Sequence, residues 1–237
     1  MSLASDTQGL KNKLLGIFMR LYYLTGAQYA LENVRRRRVK ISRIEDLNDP
    51  FELLGVDLRH KELREPFREA KSRIDSNTGI VCLSETWQSP VMWAHYGAKH
   101  TGICLGFDVF DDLASPVIYE GSPLKVEGYK AKSKSQLVKE FRNRLLLLKF
   151  DEWAYERERR MILSLTKGMN DGSLYFVGFS PKFELKEIIL GARCAEPISV
   201  VRAIAKTFSH KVHVKKARVA FTKFAVVEDR RHREKNA

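Results

Sequence analysis

Two apolar runs decide the fold of this chain: residues 79–84 read GIVCLS and residues 102–107 read GICLGF. Both runs are continuous rather than alternating and contain β-branched residues, which is typical of strands buried on both faces of a sheet. We therefore predict two central strands here, and the rest of the chain has to supply the elements that cover them.

A short helix is predicted between these two strands. Ser89 is suited to cap its N-terminus, and Pro90 fits the first helical position because its missing N–H needs no partner there. Gly97 stands where a left-handed residue after the helix is favoured. The helix is apolar nearly all round, so we expect it to be buried. Its side chains include Met92, Trp93, His95 and Tyr96.

Helical and strand patterns mix without strict βαβ alternation along the rest of the chain. Apolar spacing predicts helices after Gly26, over 60–75, from about Ser135 and over 198–208. Strands are predicted over 39–42, 153–165, 188–191 and 212–227, with a hairpin-like region at 117–119. This mixture favours an α+β fold with a mixed central sheet, split or continuous, and flanking helices. We expect a flexible N-terminus over 1–12, a single domain over 13–228 and a basic tail over 229–237.

Charge is the unusual feature of the composition. The 237 residues include 42 Lys and Arg against 29 Asp and Glu, which gives a formal net charge of +13. Such a field attracts nucleic acid, anionic surfaces or phosphate-rich ligands without distinguishing among them. Hydrophobic residues make up 44% of the chain, which excludes collagen-like, fully disordered and disulfide-scaffold proteins.

The cysteines and the apolar segments indicate a cytoplasmic protein. Cys82, Cys104 and Cys194 are odd in number and widely spaced, which is typical of buried thiols in a reducing compartment. The apolar stretch over 14–24 is too short to cross a bilayer and is interrupted by Arg20, so no membrane partner is expected. No spacing predicts a metal site.

His95 is the first candidate for chemistry. A buried histidine can bind substrate or shuttle a proton, and it can equally be a core residue whose ring bonds a backbone carbonyl. The turn Asn48-Asp49-Pro50 leaves a similar choice, because Asn and Asp bond their own backbone in turns. Beside a pocket, Asn48 and Asp49 would instead hold a ligand hydroxyl or amine.

Glu156 and Glu158 form the second candidate. On a strand, their spacing of two residues would place both carboxylates on one face, where mutual repulsion raises one pKa and makes a general base or a ribose-binding anion. On a helix, Glu152, Glu156 and Arg160 would instead form a surface charge ladder. Pairing with the neighbouring arginines would give a purely structural network.

A run of four arginines, Arg35, Arg36, Arg37 and Arg38, is the candidate nucleic-acid-binding segment. Such a run can neutralise phosphates in a salt-dependent way, or it can simply form a solvated face. No helix-turn-helix, zinc-finger or RNA-recognition signature accompanies it, so contact would be with the backbone of the nucleic acid.

Several segments together resemble a widespread bacterial family of unknown function. They are Asn48-Asp49-Pro50-Phe51-Glu52, Cys82-Leu83-Ser84-Glu85, Met92-Trp93-Ala94-His95-Tyr96-Gly97, Lys149 with the stretch from Trp153 to Arg160, and Glu187-Ile188-Ile189-Leu190-Gly191. The resemblance extends from about Leu21 to Val226, but it supplies no reaction.

At greater distance, the late Glu-x-Glu pair, the aromatic helix and the early tyrosines resemble the layout of ADP-ribosyltransferases, which bind NAD in the cleft of a split sheet. The resemblance implies that Glu158 contacts the ribose, that Glu156 orients the acceptor and that Tyr96 or Trp93 stacks on nicotinamide. Where that superfamily has an Arg or His on its early strand, this chain has Tyr22 and Tyr23 with Arg20 nearby.

Three hypotheses follow. The first is an NAD-using enzyme whose pocket contains Glu156, Glu158, His95, Tyr96 and Trp93, with Tyr22, Asn48 and Asp49 binding substrate. The second is a non-catalytic nucleic-acid-binding or interaction module that uses its basic surface. The third is a protein in which the aromatic and histidine residues only build the core.

Overall fold

The computed structural model describes residues 17–126, 133, 136, 141–142, 144–165 and 169–233. They form the α+β fold that the sequence predicts. The strands are β1 (Phe18–Thr25), β2 (Arg38–Arg43), β3 (Thr78–Ser84), β4 (Ile103–Phe110), β5 (Ser115–Pro116), β6 (Ile118–Glu120), β7 (Leu148–Phe150), β8 (Glu158–Ser164), β9 (Met169–Asp171), β10 (Leu174–Gly178), β11 (Phe183–Leu190), β12 (His213–Val219) and β13 (Val226–Glu228).

The α-helices that lie wholly within the described residues are α1 (Ala27–Arg35), α2 (Lys61–Asn77), α3 (Pro90–His95) and α4 (Ile198–Ala205). Short 3-10 turns cover Ile44–Asp46, Asp111–Leu113, Asp151–Glu156 and Arg230–His232. In this part of the chain, no helix combines the length and the apolar character needed to cross a bilayer.

One half of the main sheet is built on β4, which is buried along nearly its whole length. β4 pairs antiparallel with β1 over eight residues and antiparallel with β11 on its other edge. β11 continues the sheet through a parallel pair with β12, and β12 forms a hairpin with β13. The two apolar runs therefore form central strands, as predicted, and they lie on opposite sides of β1.

The other half of the sheet is built on β3, and here the sheet splits. One edge of β3 pairs with β8 over seven residues. The other edge pairs with β2 only at Ile80 and Gly79 and with β1 only at Ser84, which lies opposite Tyr22. The stretch between these contacts has no strand beside it, because β1 and β2 diverge. The gap between diverging strands positions the candidate site.

Side chains alternate along β3 between two cores. Val81 and Leu83 join the core that packs under α1 and α4, whereas Ile80 packs with α2 and with Phe141 and Leu145. A third apolar cluster surrounds α3, where Met92 and Trp93 pack against Ala217 and Val226 of the β12–β13 hairpin. Because successive side chains of a strand point to opposite faces, the face that holds Ile80 also holds Cys82 and Ser84.

Several predicted elements have different forms. The region at 117–119 is no hairpin, because β6 pairs in parallel with the distant β7. The helix predicted from Ser135 lies partly outside the described residues; residues 136, 141–142 and 144–146 are helical as predicted, whereas Leu148, expected on its apolar face, begins β7 instead. The strand predicted over 153–165 begins only at Glu158, after a 3-10 turn. The segments 1–12 and 234–237 lie outside the described residues.

Candidate functional site

A polar cavity of about 240 Å³ opens where β1 and β2 diverge beside β3. Three backbone segments line it directly: Tyr22–Leu24 of β1, Ser42 of β2 and Cys82–Ser84 of β3. The remaining lining residues are Asp46, Leu47, Asn48, Glu52, Met92, Tyr96, Lys149, Glu156 and Glu158. Hydroxyl, amide and carboxylate groups thus converge on a recess in the sheet, which is the usual form of a small-molecule site.

The register of β3 and β8 brings a charged pair to this recess. Glu158 lies opposite Ser84 and Arg160 lies opposite Cys82, so both side chains share the face of the sheet that Cys82 and Ser84 occupy. Arg160 is fully buried, and Glu158 keeps only 5% of its surface exposed. A buried charge of this kind requires partners in the protein.

The guanidinium of Arg160 forms hydrogen bonds with two carboxylates, those of Glu158 and Glu52. Its Nε donates to Glu158 Oε1 at 2.9 Å and its Nη2 donates to Glu158 Oε2 at 3.1 Å. Both terminal nitrogens donate to the carboxylate of Glu52, and Nη1 also donates to the carbonyl oxygen of Leu146 at 2.9 Å. The guanidinium is held in a two-sided fork, the geometry for which arginine is suited.

Lys149 extends the cluster to Glu156. The Lys149 Nζ lies 2.5 Å from Glu156 Oε2 and 3.3 Å from Glu158 Oε2, so it bridges the two candidate carboxylates. Glu156 ends the 3-10 turn, and Arg157 between the two glutamates has a left-handed backbone. The two carboxylates therefore meet as predicted, but through a turn and a bridging lysine rather than along one strand.

We call Glu52, Lys149, Glu156, Glu158 and Arg160 the buried charge network. All five are buried, and three carboxylates against two cations leave one formal negative charge. Burial alone would raise the pKa of Glu158, but Arg160 and Lys149 hold it below its ordinary value. Burial raises the pKa of Glu52, which Arg160 only partly opposes. Glu158 is thus the firmly ionised member, and Glu52 is biased toward taking up a proton.

Tyr96 connects this network to the cavity. Its hydroxyl donates to Glu156 Oε1 and accepts a hydrogen bond from Asn48 Nδ2 at 2.6 Å. Burial, reinforced by the neighbouring Glu156, raises the pKa of Tyr96 well above its ordinary value. Ser84 Oγ fixes the same turn from behind by donating to the backbone oxygen of Glu156 at 2.6 Å. The hydroxyl of Tyr96 therefore stays protonated and has a fixed direction.

Tyr22 lines the opposite wall of the cavity. Gly106 lies across the strand pair from it, and a Cβ there would approach the Tyr22 ring to 3.1 Å, so the absence of a side chain lets the ring lie flat. Burial, together with the nearby Glu187, raises the pKa of Tyr22 to about 12. Arg20 on the same strand pairs with Asp108 at 2.7 Å and Glu187 at 3.2 Å and does not line the cavity.

The expectations for α3 are partly wrong. Ser89 does cap the helix, accepting from Met92 N at 3.3 Å, but the left-handed residues are Ala98, Lys99 and His100 rather than Gly97. His95 is exposed and does not line the cavity, because α3 is only six residues long and buries one side. The prediction that His95 is buried is therefore wrong, and the structure does not bring it to the cavity.

Trp93 and Asp49, two of the predicted substrate-binding residues, stabilise the fold and do not line the cavity. Trp93 is fully buried and its Nε1 donates to the Trp87 carbonyl oxygen at 2.6 Å, so its ring faces the core and not the cavity. Asp49 is buried and its Oδ1 accepts from Phe51 N at 2.9 Å, which is the turn bond expected of Asp. Of the predicted substrate-binding residues, Tyr22, Asn48 and Tyr96 line the cavity.

The four-arginine run lies away from the cavity. Arg35 ends α1, and Arg37 donates to the Thr207 carbonyl oxygen at 3.0 Å. Arg36 Nη1 and Arg38 Nη2 share Asp171, at 3.0 and 2.5 Å. Much of the positive charge of the run is compensated within the fold.

Sequence reasoning missed Glu52 and Lys149 as parts of the site and treated Arg160 only as one of the arginines that could pair with the glutamates in a structural network, a pairing that Arg160 does make with Glu158. Lys149 stands in the otherwise apolar run LLLLKF over 145–150, and a single lysine among buried residues signals a charge that needs an internal partner. Glu52 lies 108 residues before Arg160, and nothing local in the sequence links them.

The three cysteines are free thiols, with Cys104 and Cys194 buried and Cys82 half-buried on the cavity wall. Among the described residues, no group of three or more His, Cys, Asp and Glu side chains is placed to hold a metal ion. Comparison with models of known protein families, with curated proteins and with solved structures found no match for this chain.

Proposed function

We propose that the protein is an NAD-using enzyme of the ADP-ribosyltransferase type and that the cavity between the diverging strands is its donor site. The observation that carries the proposal is the buried charge network, which places the firmly ionised carboxylate of Glu158 at a recess of a split sheet. Fixed negative charge in a buried site stabilises positive charge that develops during a reaction.

The charge of the cavity suits one end of NAD. Nicotinamide in NAD is a cationic ring, and Lys149 is the only cation among the residues that line the cavity in the described part of the chain. A volume of about 240 Å³ is below the range of sites that enclose a whole drug-sized ligand. The proposal therefore places the nicotinamide–ribose end in the cavity and the pyrophosphate outside it.

In the proposed reaction, the bond between ribose and nicotinamide breaks and nicotinamide leaves with the bonding electron pair. The ribose then carries oxocarbenium-like positive charge, which the carboxylate of Glu158 stabilises while Arg160 and Lys149 fix its position. The acceptor forms the new bond to the ribose and loses its proton to Glu156. Tyr96 and Asn48 orient the hydroxyl groups of the substrate.

The test is nicotinamide release from NAD by the full chain, with and without added DNA, RNA or cell extract. Glu158→Gln keeps the shape of the side chain and removes the negative charge that stabilises the ribose as nicotinamide leaves, so release should fall by about 100-fold or more. Tyr96→Phe removes one hydroxyl and should lower release by a smaller factor. Glu152→Gln is the matched control, because Glu152 is exposed in the 3-10 turn that precedes β8.

Thermal melting of each variant separates loss of chemistry from loss of fold. Release that survives in Glu158→Gln, or that falls equally in Glu152→Gln, would contradict the roles assigned to the cavity. No release under any condition, together with no thermal shift by NAD, would overturn the proposed function.

A further inference from the structure

The β12–β13 hairpin exposes two aromatic side chains almost completely. Phe221 is 90% exposed and Phe224 fully exposed, and Val219 beside them is 60% exposed. Full exposure of a phenylalanine gives up the free energy of burying its ring, and neighbouring exposed rings mark an interaction surface. We call residues 219–225 the hairpin tip.

The base of the hairpin is rigidly attached to the fold. Val219 pairs with Val226, and Ala220 N donates to Ala225 O at 2.9 Å, which closes the loop. Val226 N donates to the Gln88 carbonyl oxygen at 2.9 Å, and its buried side chain packs in the cluster around α3. The two rings are therefore presented on an ordered support.

The hairpin and the segments that flank it in sequence carry an excess of positive charge, part of which is paired: Lys215 with Glu187, Arg231 with Asp229 and Arg233 with Glu228. Residues 211–233 contain eight Lys and Arg against two acidic residues, a net charge of +6. The Arg218 guanidinium lies 4.4 Å from the centre of the Phe221 ring, which leaves the other face of that ring open. Lys223 stands between the two aromatic residues in the sequence FTKF. Aromatic and cationic groups thus alternate along the tip.

We infer that the hairpin tip binds single-stranded nucleic acid. Phe221 and Phe224 stack on bases, while Arg218 and Lys223 contact phosphates. Such alternation of aromatic and basic groups matches a strand in which each base is followed by a phosphate, and stacking of this kind is independent of base sequence. The inference is separate from the proposed enzymatic function, since it concerns binding at a surface outside the cavity.

The sequence of the tip favours this ligand over a membrane surface. Thr222 and Lys223 separate the two rings, so inserting both rings into hydrocarbon would carry the ammonium group toward the apolar interior, which opposes insertion. Binding of single-stranded nucleic acid does not bury this charge, because Lys223 would contact a phosphate group in water.

Binding of fluorescently labelled oligothymidylate and oligouridylate to the full chain, followed by anisotropy, tests the inference. The wild type should bind both, prefer them to a duplex, and bind more weakly as salt rises from about 50 to about 200 mM. Phe221→Ala with Phe224→Ala should weaken single-strand binding about tenfold or more. Lys223→Gln should weaken it less and reduce the salt dependence.

Two controls make the result specific. Tyr29→Ala removes another exposed aromatic ring, on α1, and should bind like the wild type. Arg35→Ala with Arg36→Ala tests the arginine run as the competing basic surface and should also leave tip binding within about twofold. Both tip phenylalanines are exposed, so unchanged melting temperatures are expected for their variants.

Four results would overturn the inference: no binding by the wild type at low salt, binding that is unchanged when both rings are removed, tighter binding to duplex than to single strands, or loss of binding in the arginine-run variant alone. Two other readouts would replace it. Ring-dependent binding to anionic phospholipid vesicles without binding to oligonucleotides would identify a membrane surface. Ring-dependent dimer formation in light scattering without oligonucleotide binding would identify a second copy of the chain.

Discussion

Two arginine–carboxylate clusters in this protein use the same chemistry at different degrees of burial. In the buried charge network, the Arg160 side chain has no exposed surface and contacts Glu52 and Glu158. In the surface cluster, Arg36 and Arg38 share Asp171, and the side chains of Arg36 and Asp171 are each about half exposed, at 52% and 50%.

The difference shows why the length of a charged run is a poor guide to its importance. Water can replace any lost partner of Arg36, so that pair contributes little to stability. Nothing replaces a lost partner of Arg160, because an unpaired charge in the interior is strongly destabilising. The conspicuous run of four arginines thus has lower energetic importance than one arginine that a local reading treats as ordinary.

The largest expected effect comes from removing the buried cation. Arg160→Met leaves three buried carboxylates facing Lys149 alone, and we expect it to lower the free energy of unfolding by about 3–5 kcal/mol, or the melting temperature by about 10 °C. Arg36→Met is the matched surface substitution and should shift melting by no more than about 2 °C. Thermal unfolding followed by circular dichroism compares them. Equal shifts in the two variants would contradict the comparison.

A second prediction separates stability from function within the network. Replacing Glu52, Glu158 and Arg160 together by Leu, Leu and Met removes the fork and leaves Lys149 paired with Glu156. Because an apolar set of similar volume often matches or exceeds a buried ion cluster in stability, the triple variant should recover most of the stability lost in Arg160→Met. Despite this recovery of stability, the triple variant should release no nicotinamide, because it lacks the carboxylate of Glu158. Lower stability than the single variant would show that the network is required for folding.

The sequence predicts the elements well where their patterns are local. The runs that became β3 and β4, the amphipathic α2 and the capped start of α3 need only periodicity and capping chemistry. The α+β class follows from their order. Trp93 and His95 show the limit, since which side of a six-residue helix is buried depends on the packing partners of α3 and not on the helix itself.

The candidate site is predictable only in part, because its residues are joined through strand register. Glu156 and Glu158 are close in sequence, so their pattern predicts them together. The sequence also predicts that Tyr96 and Asn48 belong to a pocket. The partnership of Arg160 with Glu52 spans 108 residues and exists only because β8 pairs with β3 at a particular register. Register depends on how a whole face is buried, which no local motif encodes.

The buried charge network should also affect how the free energy of unfolding depends on pH in the acid range. A carboxyl whose pKa is lower in the folded chain stabilises the folded state above its unfolded pKa of about 4.3, and loses that contribution as pH falls through the folded pKa. Glu158 has such a lowered pKa. The stability difference between wild type and Glu158→Gln should therefore shrink as pH falls below about 4, in urea unfolding. A difference that stays constant would mean that Glu158 is not the ionised partner.

The smallest expected effect is at Tyr22, on the opposite wall of the cavity. Its pKa is raised to about 12, so the folded state favours the neutral phenol. That contribution is present below the unfolded pKa of about 10 and is lost as pH rises toward 12. Tyr22→Phe should remove one tyrosinate absorbance step near pH 12 and reduce the alkaline fall in stability, with little change at neutral pH. Loss of a step near pH 10 instead would show that the Tyr22 hydroxyl is exposed to water, so that the gap between β1 and β2 is wider than its half-buried ring implies.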